Sequence, residues 1–229
     1  MIFDPMYFVF LAPGLLLSLW ASFRVKRAFN KYSKVRSVTG MTGAQAAQRL
    51  LAYAGIADVQ VVATRGRLSD HYNPVTKKLA LSEQVYGSNS VAAIGIACHE
   101  AGHAIQHAKK YAPLWLRSTL VPMAGIGSNL GYFVMFFGLI LGSMQMFLVG
   151  VVMFSAVVLF QLVTLPVEFD ATARAKRLAV EQGLILQTER VGMDRVLNAA
   201  AMTYVAAAVT SLLTLVYFLM RAGLLGGRD

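Results

Sequence analysis

The sequence predicts a predominantly α membrane protein, with four transmembrane helices and a small cytoplasmic α+β part that carries a His-Glu-x-x-His helix. Three observations predict it. Long uncharged stretches interrupt the chain, basic residues gather on one side of them only, and His99-Glu100-Ala101-Gly102-His103 falls in the middle of a segment with a good helix start.

Hydrophobic residues make up 57% of the 229 residues and charged ones 14%, well short of the roughly 25% charged usual in soluble proteins. The uncharged stretches place the spans. Tyr7 to Phe23 lies between Asp4 and Arg24. With no basic residue before it and no small-residue cleavage site after it, it reads as a retained anchor and not a signal peptide. Ser118 to Val167 holds no charge at all. That is too long for one crossing of about 20 residues, so it divides into spans near 120–141 and 146–165 with a turn at Gly142-Ser143. The last span covers 197–220. The chain reads as one membrane-embedded domain, 1–229.

The net charge of +10 acquires a meaning once the basic residues are located. Arg24, Lys26, Arg27, Lys31, Lys34 and Arg36 follow the first span, Lys109, Lys110 and Arg117 precede the second, and Arg174, Lys176 and Arg177 follow the third. Short loops rich in Lys and Arg stay in the cytoplasm. Segments 24–117 and 168–196 therefore face the cytoplasm, and both termini lie outside. The basic excess is topological, which argues against nucleic acid as a partner. A single cysteine, Cys98, excludes an internal disulfide and a thiolate zinc cage; it reads as a small buried residue.

Segment 24–117 is the part long enough to fold in water. Thr42-Gly43-Ala44-Gln45 has capping-box form and opens a helix to Tyr53, with Gly55 placed to end it. Val59–Thr64 has strand composition, Arg65–Pro74 is turn-rich, and Lys77–Leu81 reads as a second strand. Ser88-Asn89-Ser90 offers caps for a helix from Val91 to about Ala108. A further amphipathic helix is expected from about Glu168 to Gln182, stopped by Gly183.

On the helix from Val91, His99 and His103 stand at i and i+4 and so share a face, where both imidazoles can reach one Zn2+ ion. Glu100 beside them is placed to take a proton from a water that the ion has acidified. This is the constellation of a zinc-dependent peptide hydrolase. His107 continues the face but lies eight residues, or about 12 Å, from His99, too far to join the same ion. The third ligand must be a carboxylate from the same side of the membrane, and the residues leave two open: Glu168 and Asp170. On one helix these lie about 200° apart, so only one can face the metal.

His99–His107, Ser69-Asp70-His71-Tyr72-Asn73-Pro74 with Leu81-Ser82, Pro166-Val167-Glu168-Phe169-Asp170-Ala171 and Leu197–Val205 closely resemble the YugP-like neutral zinc metallopeptidases of bacterial membranes. More distantly the chain is similar to HtpX-like and prenyl-protein proteases of the gluzincin group. The resemblance implies a gluzincin-like cytoplasmic part and a bacterial inner-membrane location. It also implies Glu168 as third ligand, through a Glu-x-x-Ala-Asp motif in which Thr172 stands where the Asp would be. Asp170 is then left to orient a ligand or to pair with Arg174. The resemblance further implies that Lys77, Lys78, Leu79, Ala80 and Leu81 form an edge strand on which a substrate backbone adds, and that His71, Tyr72 and Arg174 are oxyanion candidates.

The expected function is hydrolysis of peptides or membrane proteins near the cytoplasmic membrane surface. The alternative is a zinc-binding membrane scaffold without turnover, which would have no use for a base at Glu100. A transporter is disfavoured because the spans lack ionisable residues. The topology has a direct test. A Ser143→Cys variant should react with an impermeant thiol reagent applied from outside, and a Ser33→Cys variant should not; the reverse labelling would invert the model.

Overall fold

The computed structural model describes residues 5–225. In chain order it forms α1 (Pro5–Tyr32), α2 (Gly43–Tyr53), β1 (Gln60–Thr64), β2 (His71–Asn73), β3 (Lys78–Ser82), α3 (Glu83–Tyr86), α4 (Val91–Ala108) and α5 (Ala112–Ile126). A π-helical turn (Gly127–Gly131) leads into α6 (Tyr132–Ile140), followed by α7 (Met144–Glu181) and α8 (Arg190–Arg221). Among the described residues, four helical runs are long and apolar enough to cross a membrane: Pro5–Tyr32, Ala112–Ile140, Met144–Glu181 and Arg190–Arg221. The expected spans fall in these runs, the second passing its end by one residue. The placement of both termini outside concerns residues 1–4 and 226–229, which lie outside the described residues.

The chain divides into two compact units. Of the described residues, the first comprises 5–21, 115–166 and 203–225. Its centre is Met135, Phe147, Phe154, Val157, Val158, Tyr217 and Phe218. Here α7 lies close against the preceding helical run because glycines face it: Gly127 and Gly131 meet the backbone at Met153 and Phe154, and Gly138 that at Phe147. Small residues spaced four apart are how helices approach in lipid, where no hydrophobic force draws them together. A hydrogen bond of 2.9 Å joins the Tyr7 and Tyr132 hydroxyls.

The second unit comprises residues 22–114 and 167–202. Two of its helix starts, those of α2 and α4, are those the sequence announces. Thr42 and Gln45 form the reciprocal capping box of α2, and the Ser90 hydroxyl accepts from Ala93 N at 3.2 Å to open α4. The expected helix at 168–182 is not separate: it is the end of α7, stopped at Gly183 in the left-handed conformation (φ +61°). Pro166 removes one helical donor, and the alanines, Lys176, Arg177 and Leu178 that follow favour helix strongly enough to continue it.

The sheet has the order β1-β3-β2. β1 and β3 pair in parallel, Gln60 opposite Lys78, while β2 and β3 are antiparallel, Tyr72 opposite Leu79. This corrects the expected edge strand. Lys77, Lys78, Leu79, Ala80 and Leu81 do not line an edge, because residues 78–81 belong to the middle strand and Lys77 is a left-handed turn residue (φ 51°). The reason is β2, a three-residue strand inside the turn-rich stretch. Asn73 Oδ1 accepts from Val75 N at 2.9 Å and Thr76 N at 3.1 Å, which closes the turn between β2 and β3. At the other end Asp70 accepts from Ser82 N at 2.7 Å, taking over where the ladder stops. The free edges are β1 and β2.

The core of this unit is Leu50, Leu79, Leu81, Ile94, Leu184, Ile185, Met193 and Leu197, among others, with α4 running through it. Gly102 of α4 meets α7 so closely that a Cβ there would stand 2.9 Å from the Ala171 carbonyl oxygen and 3.3 Å from its Cα. Two effects compete in Gly102→Ala. Alanine favours the helix by about 1 kcal/mol, but overpacking against backbone costs about 1–3 kcal/mol. We expect the cost to win, and a thermal melt in detergent should show a lower midpoint for the variant; an unchanged or raised midpoint would mean that α4 and α7 have slack here.

Candidate metal centre

Almost every face of α4 is buried, and its sequence is correspondingly apolar and small: Val91, Ala92, Ala93, Ile94, Gly95, Ala97, Cys98, Ala101 and Ala104. Its polar side chains therefore stand out. His99, Glu100, His103 and Gln106 project from one side of a helix that otherwise packs as core. Cys98 behaves as part of that core: it is fully buried, and desolvation pushes its thiol up to about 12.

The structure brings together three of the residues the sequence singles out. His99 and His103 of α4 and Glu168 of α7 each offer one ligand atom, and these atoms lie within 4.8 Å of one another. Glu168 Oε2 is 3.2 Å from His99 Nε2 and 3.5 Å from His103 Nε2. Ligands about 2.1 Å from a tetrahedral ion stand about 3.4 Å apart, so these separations are those of two edges of a zinc tetrahedron. The donor set fits as well: two imidazoles and a carboxylate, with room for a fourth ligand, is the pattern of hydrolytic zinc. His99, His103 and Glu168 could thus hold the ion.

The electrostatics run the same way. Glu168 is 1% exposed. Burial works to raise its pKa, but hydrogen bonds and charge from His103 and His99 outweigh that and hold it well below the usual carboxylate range. Burial works to lower the pKa of His103, and Glu168 with the nearby Glu100 charge turns the balance upward. Glu100 is itself buried. The spot favours positive charge.

Around the triad lies a second layer of contacts. His99 Nδ1 is 3.2 Å from Thr172 Oγ1, the residue standing where the Asp of the distant motif would be. His103 Nδ1 is 3.0 Å from Gln106 Oε1. Gln106 donates from its amide nitrogen to the Val167 carbonyl and to Asp170 Oδ2, both at 2.8 Å. Asp170 in turn accepts from Arg174 Nε at 2.5 Å, one helical turn on. Burial works to raise the pKa of Asp170, and the bonds from Arg174 and Gln106 bring it below the usual value.

The other expected site residues are placed differently. His71 Nδ1 bonds the Ser69 carbonyl at 2.8 Å, within its own loop. The Tyr72 hydroxyl meets His107 Nδ1 at 2.8 Å, which ties β2 to the last turn of α4. Arg174 has its guanidinium 6.0 Å from the Tyr111 ring centre besides its bond to Asp170. Sequence reasoning passed over Gln106 altogether. The one hint is its place three residues after His103, on the same helical face, which by itself does not set it apart from any polar residue of a helix.

A family model described as "Putative neutral zinc metallopeptidase" matches residues 7–223. A "Putative membrane protease YugP" from Bacillus subtilis (strain 168) is 47% identical over 225 residues, covering 98% of this chain and 99% of the relative. No solved structure matches. With a family match and a likeness that each run nearly from end to end, and a triad fit for its metal, the chain belongs to this neutral zinc metallopeptidase family and zinc is its cofactor.

Proposed function

We propose that the protein is a membrane-integrated zinc endopeptidase of gluzincin type that cleaves peptide bonds near the cytoplasmic membrane surface. The observation that carries the reading is the gathering of His99, His103 and Glu168, with Glu168 Oε2 at the spacing of a zinc-tetrahedron edge from each histidine Nε2. His99, His103 and Glu168 would hold the ion, and Asp170 would support them. Bound zinc supplies Lewis acidity, which acidifies water and polarises a carbonyl.

Glu100 is the general base. It accepts a proton from the attacking water as the new C–O bond forms at the scissile carbonyl, and returns it to the amide nitrogen as the C–N bond breaks. It is buried, and its charge acts on the neighbouring His103. Tyr72 or His71 on β2, or Arg174 on α7, would donate to the oxyanion. The substrate strand adds to β2, the free sheet edge that is tied to α4 through Tyr72 and His107. Glu168 follows the third span by three residues of one helix, about 4.5 Å of rise, so the chemistry takes place close to the lipid. Membrane proteins, and peptides lying at the interface, are the substrates this placement favours. The orientation with segments 24–117 and 168–196 in the cytoplasm rests on the distribution of Lys and Arg.

Two sets of variants test the assignment. Glu100→Gln should keep the zinc and lose hydrolysis by about 10²–10⁴-fold, read as zinc content of the purified protein and as cleavage of membrane proteins in cells carrying either form. A Glu100→Gln protein that still cleaves at near the parental rate would place the chain with non-catalytic zinc scaffolds. His99→Ala, His103→Ala and Glu168→Ala should each lose both metal and activity. Asp170→Asn should keep the ion, with affinity weakened by no more than about 10–100-fold; complete loss of zinc from it, with Glu168→Ala still loaded, would exchange the roles of the two carboxylates.

A further inference from the structure

Gln106 is 0% exposed and makes three hydrogen bonds in an interior with few other polar groups. The two ends of a side-chain amide are chemically opposite: the nitrogen only donates and the oxygen only accepts. Which end faces which neighbour follows from those neighbours. The Val167 carbonyl oxygen can only accept. Asp170 Oδ2 is likewise an acceptor here, already taking a hydrogen bond from Arg174 Nε. Both lie 2.8 Å from one end of the amide, so that end is the nitrogen. The oxygen is then the end 3.0 Å from His103 Nδ1. An oxygen that only accepts requires a proton on that ring nitrogen. In a neutral imidazole the lone pair is then on Nε2, the atom 3.5 Å from Glu168 Oε2.

We propose that Gln106 is a positioning residue for the metal site: it fixes His103 as the Nδ1–H tautomer, aims Nε2 at the zinc position, and ties this ring to the Asp170–Arg174 pair on α7. The inference rests on the reading of His99, His103 and Glu168 as the zinc ligands. Its physical content is a one-way chain of donors. Arg174 donates to Asp170, Gln106 donates to Asp170 and Val167, and His103 donates to Gln106. Reversing any link would set two acceptors or two donors against each other. His99 has a different kind of anchor, the Thr172 hydroxyl, which can both donate and accept and therefore cannot dictate the tautomer. Of the two ligand rings, His103 is the one whose protonation pattern is imposed from outside.

Gln106→Met tests this, because methionine nearly matches glutamine in length and volume but offers no accepting oxygen to Nδ1. Zinc affinity of the full-length protein in detergent would be measured by competition with a chelator, alongside the parent, Asp170→Asn and Glu168→Ala. We expect about a 10–100-fold weaker affinity in Gln106→Met and a smaller loss in Asp170→Asn, where an accepting oxygen remains for the amide. The visible absorption of bound Co2+ should also change in Gln106→Met, a signature that a purely structural loss would leave alone. Parental zinc affinity and an unchanged cobalt spectrum in Gln106→Met would overturn the proposal. Zinc retained at full affinity in Glu168→Ala would overturn instead the reading of the triad as the metal site. Should Gln106→Met fail to fold, the parent alone decides: residue-assigned 15N-histidine spectra of the zinc-loaded protein should show His103 protonated at Nδ1 and metal-bound through Nε2, and a His103 ring bound through Nδ1 would reject the assignment.

Discussion

A carboxylate removed from water costs several kcal/mol unless it is paired in good geometry, and Glu168 is 1% exposed. Much of the second unit can be understood as the arrangement that makes this burial tolerable. Glu168 sits on α7 and its partners His99 and His103 on α4, so the two helices must approach until the side chains meet at 3.2 and 3.5 Å. A residue with a Cβ at position 102 would hold them apart, since it would press on the Ala171 backbone. The small residues along both helices, Ala97, Ala101 and Ala104 on one and Ala171 and Ala175 on the other, are all buried. They serve the same approach and leave the volume between the backbones to the polar side chains.

The polar residues of α4 contradict their surroundings, and such local contradictions concentrate at functional sites. Each of the two proposed ligand histidines has a partner on its second ring nitrogen, Thr172 for one and Gln106 for the other. Those partners are not interchangeable. A hydroxyl adapts to either tautomer, whereas an amide pinned by two acceptors does not. One ligand thus has a fixed protonation pattern and its neighbour an adjustable one, and both lean on α7 within a few residues of Glu168. The ligand and its support arrive on the same helix, so any shift of α7 along α4 would disturb all of them together.

What could be read from the sequence is what local rules govern. The four spans are legible because a crossing needs a long uncharged run, and α2 and α4 because Thr42, Gln45 and Ser90 supply the chemistry of a helix start. His99 and His103 announce themselves by spacing. Glu168 could be narrowed only to a pair by residue type, because choosing between it and Asp170 requires the angular setting of α7 against α4, a matter of packing. β2 was hidden by its length: three residues carry no alternation, and the Asp, Asn and Pro around it read as turn. Its absence from the sequence-level picture is what made β3 look like an edge. Gln106 escaped because a single buried amide has no pattern; its meaning lies in Val167, Asp170 and His103, residues that the fold alone assembles.

The division of labour between helices and sheet follows from stiffness. All three proposed ligands lie on helices of at least 18 residues, α4 and α7, where side-chain positions inherit the rigidity of a continuous hydrogen-bonded ladder and of a close-packed interface. The sheet side is built otherwise. β2 has only three residues and lies at an edge, and the segments flanking it hold Leu68 and Lys77 in left-handed backbone. Its tie to α4 is the exposed hydrogen bond between Tyr72 and His107. Regions with short strands and solvent-exposed hydrogen bonds open at low free-energy cost. On the proposed reading, accommodation of different substrates therefore falls to β2 and its loops. The metal ligands can stay fixed, because nothing in their helix-to-helix geometry has to change for a strand to arrive at the sheet edge.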